Sequence, residues 1–133
     1  MKKKKKHFYV KQMSMPIYRG QFVIIFTNDA EKLHKKVSVF EGNEVYASAN
    51  LDNWEGIEGF IIALNFDNKN RAITHGCVAH ESSHIAHMVL EQRGVIADFI
   101  NDEPVTYLIE WITDQVYKFA DEKKMVVKSN TEI

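Results

Sequence analysis

Between Ala72 and Gln92 the chain carries apolar side chains in most directions around a helix, and the one remaining stripe is lined with histidines. At about 100° per residue, Val78, Ile85 and Val89 fall on one side and Ala79, Ala86 and Leu90 on another, while His80, His84 and His87 share a stripe with Gly76 and Glu91. A helix that is apolar on most sides belongs in the centre of a fold, so the rest of the chain is expected to wrap this segment. Imidazoles confined to its single polar stripe need a partner or a cleft. Gly94 suits its C-terminal stop.

What surrounds this helix follows from local patterns. Phe22–Thr27 is a short β-branched and aromatic run that predicts a buried strand. Asn28 and Asp29 can cap a helix running to about Val39. Glu44–Ala49 and Gly59–Phe66 predict two further strands, with Leu51–Gly56 as the turn between them. A hairpin pairing Val37–Glu41 with Glu44–Tyr46 about Gly42-Asn43 competes with this assignment. Asp67–Asn70 is a cluster of turn formers ahead of the first long helix. The second long helix begins near Asp102, where Asn101 or Asp102 can cap and Pro104 fits the first turn. Its apolar stripe, Val105, Leu108, Ile109, Ile112, Val116 and Phe119, runs to about Ala120. The expected fold is α+β: a small three-stranded sheet with an early helix, followed by two long helices. Residues 16–122 form one domain, 1–15 a basic flexible N-terminus and 123–133 a polar C-terminal tail, in which Val126-Val127 can add a short strand.

Charge and composition exclude several functions. With 133 residues and a formal charge of -1, the whole surface offers no field to attract nucleic acid or a membrane. No apolar run approaches the roughly 20 residues that cross a bilayer. The run Lys2–Lys6 reads as a solvated terminus, because a block of like charges repels itself, and it is not followed by an apolar signal segment. The single cysteine, Cys77, excludes an internal disulfide and fits a reducing, cytoplasmic setting.

The chemistry lies in His80-Glu81-Ser82-Ser83-His84. Residues four apart on a helix lie one turn above each other, so His80 and His84 can present imidazole nitrogens to one Zn2+ ion about 2.0–2.1 Å away. Glu81 projects roughly 100° from His80, beside the metal, where it can take a proton from a water. Catalytic zinc needs a third protein ligand and an open position. Glu103, in the first turn of the second long helix, is the candidate, with Asp98, Asp102 and Glu110 as substitutes. Tyr107 lies four residues after Glu103 and is a candidate for stabilising an oxyanion. His87 either contacts substrate or lines the cleft. His75 lies too near the helix start to assign, Cys77 reads as a small core residue, and Trp54 and Trp111 as packing residues.

These residues resemble the gluzincins, metallopeptidases with H-E-x-x-H on one helix and a Glu ligand on the next. The resemblance covers His80–His84 and Glu103, within about fifty residues from Ala72 to Ala120, and is nearest to minimal single-domain members, some encoded by phages and mobile elements. It implies a zincin-like fold in which the two long helices carry the zinc site, with Gly59–Phe66 as the substrate-lining edge strand. A related pattern, the metzincin motif, fails: it wants Gly and His where this chain has His87 and Leu90. The implied activity is zinc-dependent hydrolysis of a peptide or protein substrate, with Glu81 as general base. The oxyanion donor of larger gluzincins has no clear equivalent here. A zinc-binding regulatory or interaction module without turnover is the alternative, and a nucleic-acid binder using Lys2–Lys6, Lys35 and Lys36 a distant third.

Overall fold

The computed structural model describes residues 8–37, 47–67, 72–96 and 98–129. The run Lys2–Lys6, almost all of the Val37–Glu41/Glu44–Tyr46 hairpin and most of the Asp67–Asn70 turn lie outside these. Two strands, β2 (Gln21–Thr27) and β4 (Ile57–Asn65), lie side by side in parallel, Phe22 opposite Phe60 and Ile24 opposite Ile62. Both are near-continuous apolar runs, which suits strands covered on both faces.

The expected three-stranded sheet is corrected, among the described residues, to a four-stranded mixed sheet in the order β1 (Phe8–Ser14), β2, β4, β3 (Ala47–Trp54). A separate two-stranded sheet joins β5 (Ile73–Thr74) to β6 (Val127–Lys128) in parallel. The additional strand of the main sheet, β1 (Phe8–Ser14), comes from the segment expected to be flexible and pairs antiparallel with β2. Its sequence alternates, with Tyr9 and Met13 packed against the core and Lys11 between them. The Lys11 ammonium reaches Glu122 at 2.8 Å and stands over the Phe119 ring, Nζ 5.8 Å from the centroid, so a charged residue at this edge still contacts the aromatic core beneath it.

The strand β3 (Ala47–Trp54) pairs antiparallel with β4 and forms the opposite edge. The expected turn at Leu51–Gly56 shrinks to Glu55-Gly56, both at positive φ (49° and 85°). That is the two-residue hairpin geometry that matches strand twist. Asn50, Asp52 and Asn53 favour turns, but Ala47, Ala49 and Leu51 pack against the core on alternate positions, and this packing extends the strand through them. The strand β4 is therefore interior, hydrogen-bonded on both sides, and cannot be the substrate-lining edge that the resemblance implied.

The sheet has two covered faces. On one, Val23, Ile25, Ile61 and Ala63 meet Leu33, Val37 and Trp54 under a five-residue helix, α1 (Ala30–His34), capped by the Asp29 carboxylate. On the other, Phe22, Ile24, Phe26, Phe60, Ile62 and Leu64 form the main core with two long helices, α2 (His75–Gln92) and α3 (Glu103–Glu122). The start of α2 falls three residues after Ala72, because Ile73-Thr74 is strand and the Thr74 hydroxyl caps the helix, accepting from the Cys77 N–H at 3.2 Å. At the other end Gly94 takes φ 68° and the Val95 N–H closes on the Leu90 carbonyl at 2.9 Å, a left-handed stop. Among the described residues no helix is long and apolar enough to cross a membrane.

Candidate metal centre

Val78, Ile85, Ala86, Val89 and Leu90 of α2 are buried against the sheet and α3, while His80, His84 and His87 stay exposed in one stripe. Burial of the apolar sides thus fixes the helix rotation, and that rotation presents the imidazoles together. The His80 and His84 Nε2 atoms are 3.1 Å apart, with ring centroids separated by 4.7 Å and planes at 75°. Two nitrogens bound tetrahedrally at 2.0–2.1 Å to one zinc ion stand about 3.3 Å apart. The spacing of the pair is thus close to that of two ligands of one metal ion, and is equally that of a hydrogen bond between the rings.

Glu81 lies on the flank of this pair. Its side chain is buried, and one carboxylate oxygen is 4.0 Å from His80 Nε2. Burial pushes its pKa above the usual carboxylate value, and the nearby His80 and His84 pull in the opposite direction. A partly desolvated carboxylate beside a two-imidazole pair is suited to holding and returning a proton. Of the two intervening serines, Ser82 faces the core and the Ser83 hydroxyl donates to the Ala79 carbonyl at 2.9 Å.

The third expected ligand is placed elsewhere. Glu103 occupies the first turn of α3, exposed, on the wall of a groove of about 570 Å³ that it shares with Tyr107, Trp111, Pro16 and Tyr18. Tyr107 is 64% exposed and lies on that same wall. Among the described residues, no three His, Cys, Asp or Glu side chains are grouped to hold a metal ion. The reason lies in the rotation of α3, set by its buried stripe of Val105, Leu108, Ile112, Val116 and Phe119. The two helices run antiparallel, with His75 Nδ1 2.7 Å from the Tyr117 hydroxyl at one end. At the other end His87 lines a second groove, of about 390 Å³, with Asp98, Asp102 and Thr106. One residue is about 100° of helix, so Asp102 turns to the histidine side while Glu103 turns to the loop between β1 and β2. Glu110 lines the Glu103 groove as well.

Several other assignments are resolved by packing. Trp111 tilts against Phe22 with centroids 5.8 Å apart, Trp54 is buried under Lys36, and Cys77 is a free thiol at the margin of the core. The His75–Tyr117 contact was not legible in sequence, because its partners are 42 positions apart. Burial raises the Tyr117 pKa. Compared with models of known families, with curated proteins and with solved structures, the chain matches none.

Proposed function

We propose that this protein is a zinc-dependent hydrolase of peptide bonds, with His80 and His84 as metal ligands and Glu81 as general base. The observation that supports it is the convergence of the two Nε2 atoms to 3.1 Å with a buried carboxylate beside them on the same helix. Zinc, when bound there, would supply Lewis acidity and lower the pKa of a water. Glu81 would accept the proton of the attacking water and hand it to the leaving amine. The third ligand is proposed from the head of α3: Glu103 on the motif, or Asp102, which already faces the groove of His87. An extended peptide would add to β3, the sheet edge that packs beside α2, since β4 is paired on both sides and β3 has no strand on its outer side among the described residues. The setting is a reducing cytoplasm, where Cys77 stays a thiol.

A second reading is favoured by the position of Glu103 and Tyr107 away from the histidine pair: a zinc-binding module without turnover. One experiment separates the two. Purified wild type is expected to hold near one zinc per chain and to cleave labelled casein. Glu81→Gln is expected to keep the zinc and lose at least about a hundredfold in rate. Full activity in Glu81→Gln refutes the role given to Glu81, and zinc without any turnover in the wild type supports the module. Zinc content of Glu103→Ala beside Asp102→Ala identifies the third ligand.

A further inference from the structure

The groove between α3 and the loop joining β1 to β2 has features that the proposed hydrolysis does not use. Its floor is apolar, built from Pro16, Tyr18, Pro104, Leu108 and Trp111, and its walls carry Glu103, Glu110 and Asp114 with no Lys, Arg or His in the lining. None of the three carboxylates has a basic partner among the described residues. The loop wall is held under strain. Ile17 sits at φ 63°, in the left-handed region that β-branched residues avoid, at the apex of a three-residue turn closed by the Tyr18 N–H on the Pro16 carbonyl at 2.5 Å. Its side chain is 94% exposed. The turn is kept in place from both sides: the Met15 N–H donates to the Gly20 carbonyl at 2.9 Å, and the Arg93 guanidinium, at the end of α2, donates from Nε to the Arg19 carbonyl at 3.0 Å. Strain persists where the surroundings over-determine it, and such places cluster at binding sites. Phe99 and Ile100, fully exposed, precede the groove residue Asn101.

We infer that this groove docks a polypeptide segment in which apolar side chains alternate with lysines or arginines. The apolar floor takes the bulky side chains, and the carboxylates, without a basic partner among the described residues, select positive charge, which also disfavours an anionic membrane surface. From Glu103 to Asp114 the wall extends roughly 16 Å at 1.5 Å per residue, the length of about five residues of extended chain. The groove is distinct from the histidine pair; of its three carboxylates only Glu103 is also proposed as a zinc ligand, and Glu110 and Asp114 keep their place whether or not metal is bound.

The test uses the full chain and three fluorescein-labelled ten-residue peptides. One alternates lysine with leucine and phenylalanine, the second replaces lysine by glutamate, and the third replaces the apolar residues by serine. Fluorescence anisotropy is expected to show binding of the first, at least tenfold weaker binding of the other two, and clear weakening between 50 and 500 mM salt, as screening requires. The double variant Glu110→Lys/Asp114→Lys is expected to lose at least tenfold. Ile17→Gly, which relieves the strained backbone angle and so keeps the fold, is expected to lose severalfold in binding while its melting temperature holds or rises. Binding is expected to persist with chelator and in His84→Ala, so failure of the zinc reading leaves this one standing. Equal binding of the glutamate peptide overturns the inference, as does loss of binding on chelation. A wild-type dimer that the charge-reversed variant turns into monomer overturns it too, by showing a second copy in the groove.

Discussion

Zinc should raise the melting temperature of the wild type by about 10 K, and His84→Ala should erase that shift. The His80 side chain is 68% exposed and His84 is exposed as well, so truncating His84 uncovers no core and is expected to change the metal-free stability by no more than about 0.5 kcal/mol. A ligand that binds the folded chain at a hundredfold excess over its Kd adds about 2.7 kcal/mol. At about 2.1 cal/mol/K per residue, 133 residues give an unfolding entropy near 0.28 kcal/mol/K, and the quotient is about 10 K. Residual binding of zinc to the unfolded His80/His84 pair lowers the figure by a few kelvin without changing its sign. The assay is a circular-dichroism melt with chelator and with zinc, for the wild type, His84→Ala and Glu81→Gln. Glu81→Gln should shift almost as the wild type does, because Glu81 flanks the metal rather than binding it. An equal shift in His84→Ala would place the zinc elsewhere, and no shift in the wild type would reduce the histidine pair to a hydrogen bond at 3.1 Å.

Three further outcomes test the fold that presents this site. Glu55→Gly should stabilise by about 0.5–1 kcal/mol in urea denaturation, because Glu55 holds φ 49° in the β3–β4 turn and a left-handed side-chain-bearing residue costs more than glycine loses in unfolded-state entropy. Gly20→Ala should destabilise by about 2 kcal/mol or more in the same assay: φ is 134°, and an added Cβ would lie 3.0 Å from a ring carbon of Phe60. At alkaline pH Tyr117 should cost stability, since burial raises its pKa above 10.0 in the folded chain; the unfolded phenol ionises first, so stability present below pH 10 is lost as pH rises through the folded value, and Tyr117→Phe should weaken that loss in urea midpoints measured from pH 8.5 to 11.

The parts of the fold that were legible in the sequence are those whose signal is local and long. The β2 run Phe22–Thr27, the β4 run from Gly59 and the stripe of α3 announce themselves by composition or period, without reference to any neighbour. The strand β1 did not, because Lys11 interrupts its alternation and the lysine run ahead of it dominates the reading of the whole segment. Its pairing with β2 supplies the missing information, since an edge strand needs only Tyr9 and Met13 on one face to seat it. Strand order was also out of reach. The parallel partnership of β2 with β4 spans α1 and β3, and no local pattern records which of two apolar strands becomes the interior neighbour.

The site divides along the same line. His80 and His84 meet because four positions on one helix are one turn, and no other element is needed to bring Nε2 to Nε2. Placing Glu103 requires, in addition, the rotation of a second helix. Its spacing from His84 puts it at the end of α3 that neighbours His87, but the buried stripe from Val105 to Phe119 sets the rotation, and a single position then separates the histidine flank from the loop flank. Bringing Glu103 onto the pair by turning α3 as a body would expose that stripe, at about 25 cal/mol for each Å² uncovered. Rearranging only the first turn is far less costly, because its capping residue Asp102 makes no side-chain capping bond there and Glu103 and Thr106 are exposed. If zinc recruits a carboxylate from α3, the change is therefore confined to Asp102–Pro104, ahead of the buried Val105, and the rest of the helix stays where the apolar stripe has put it.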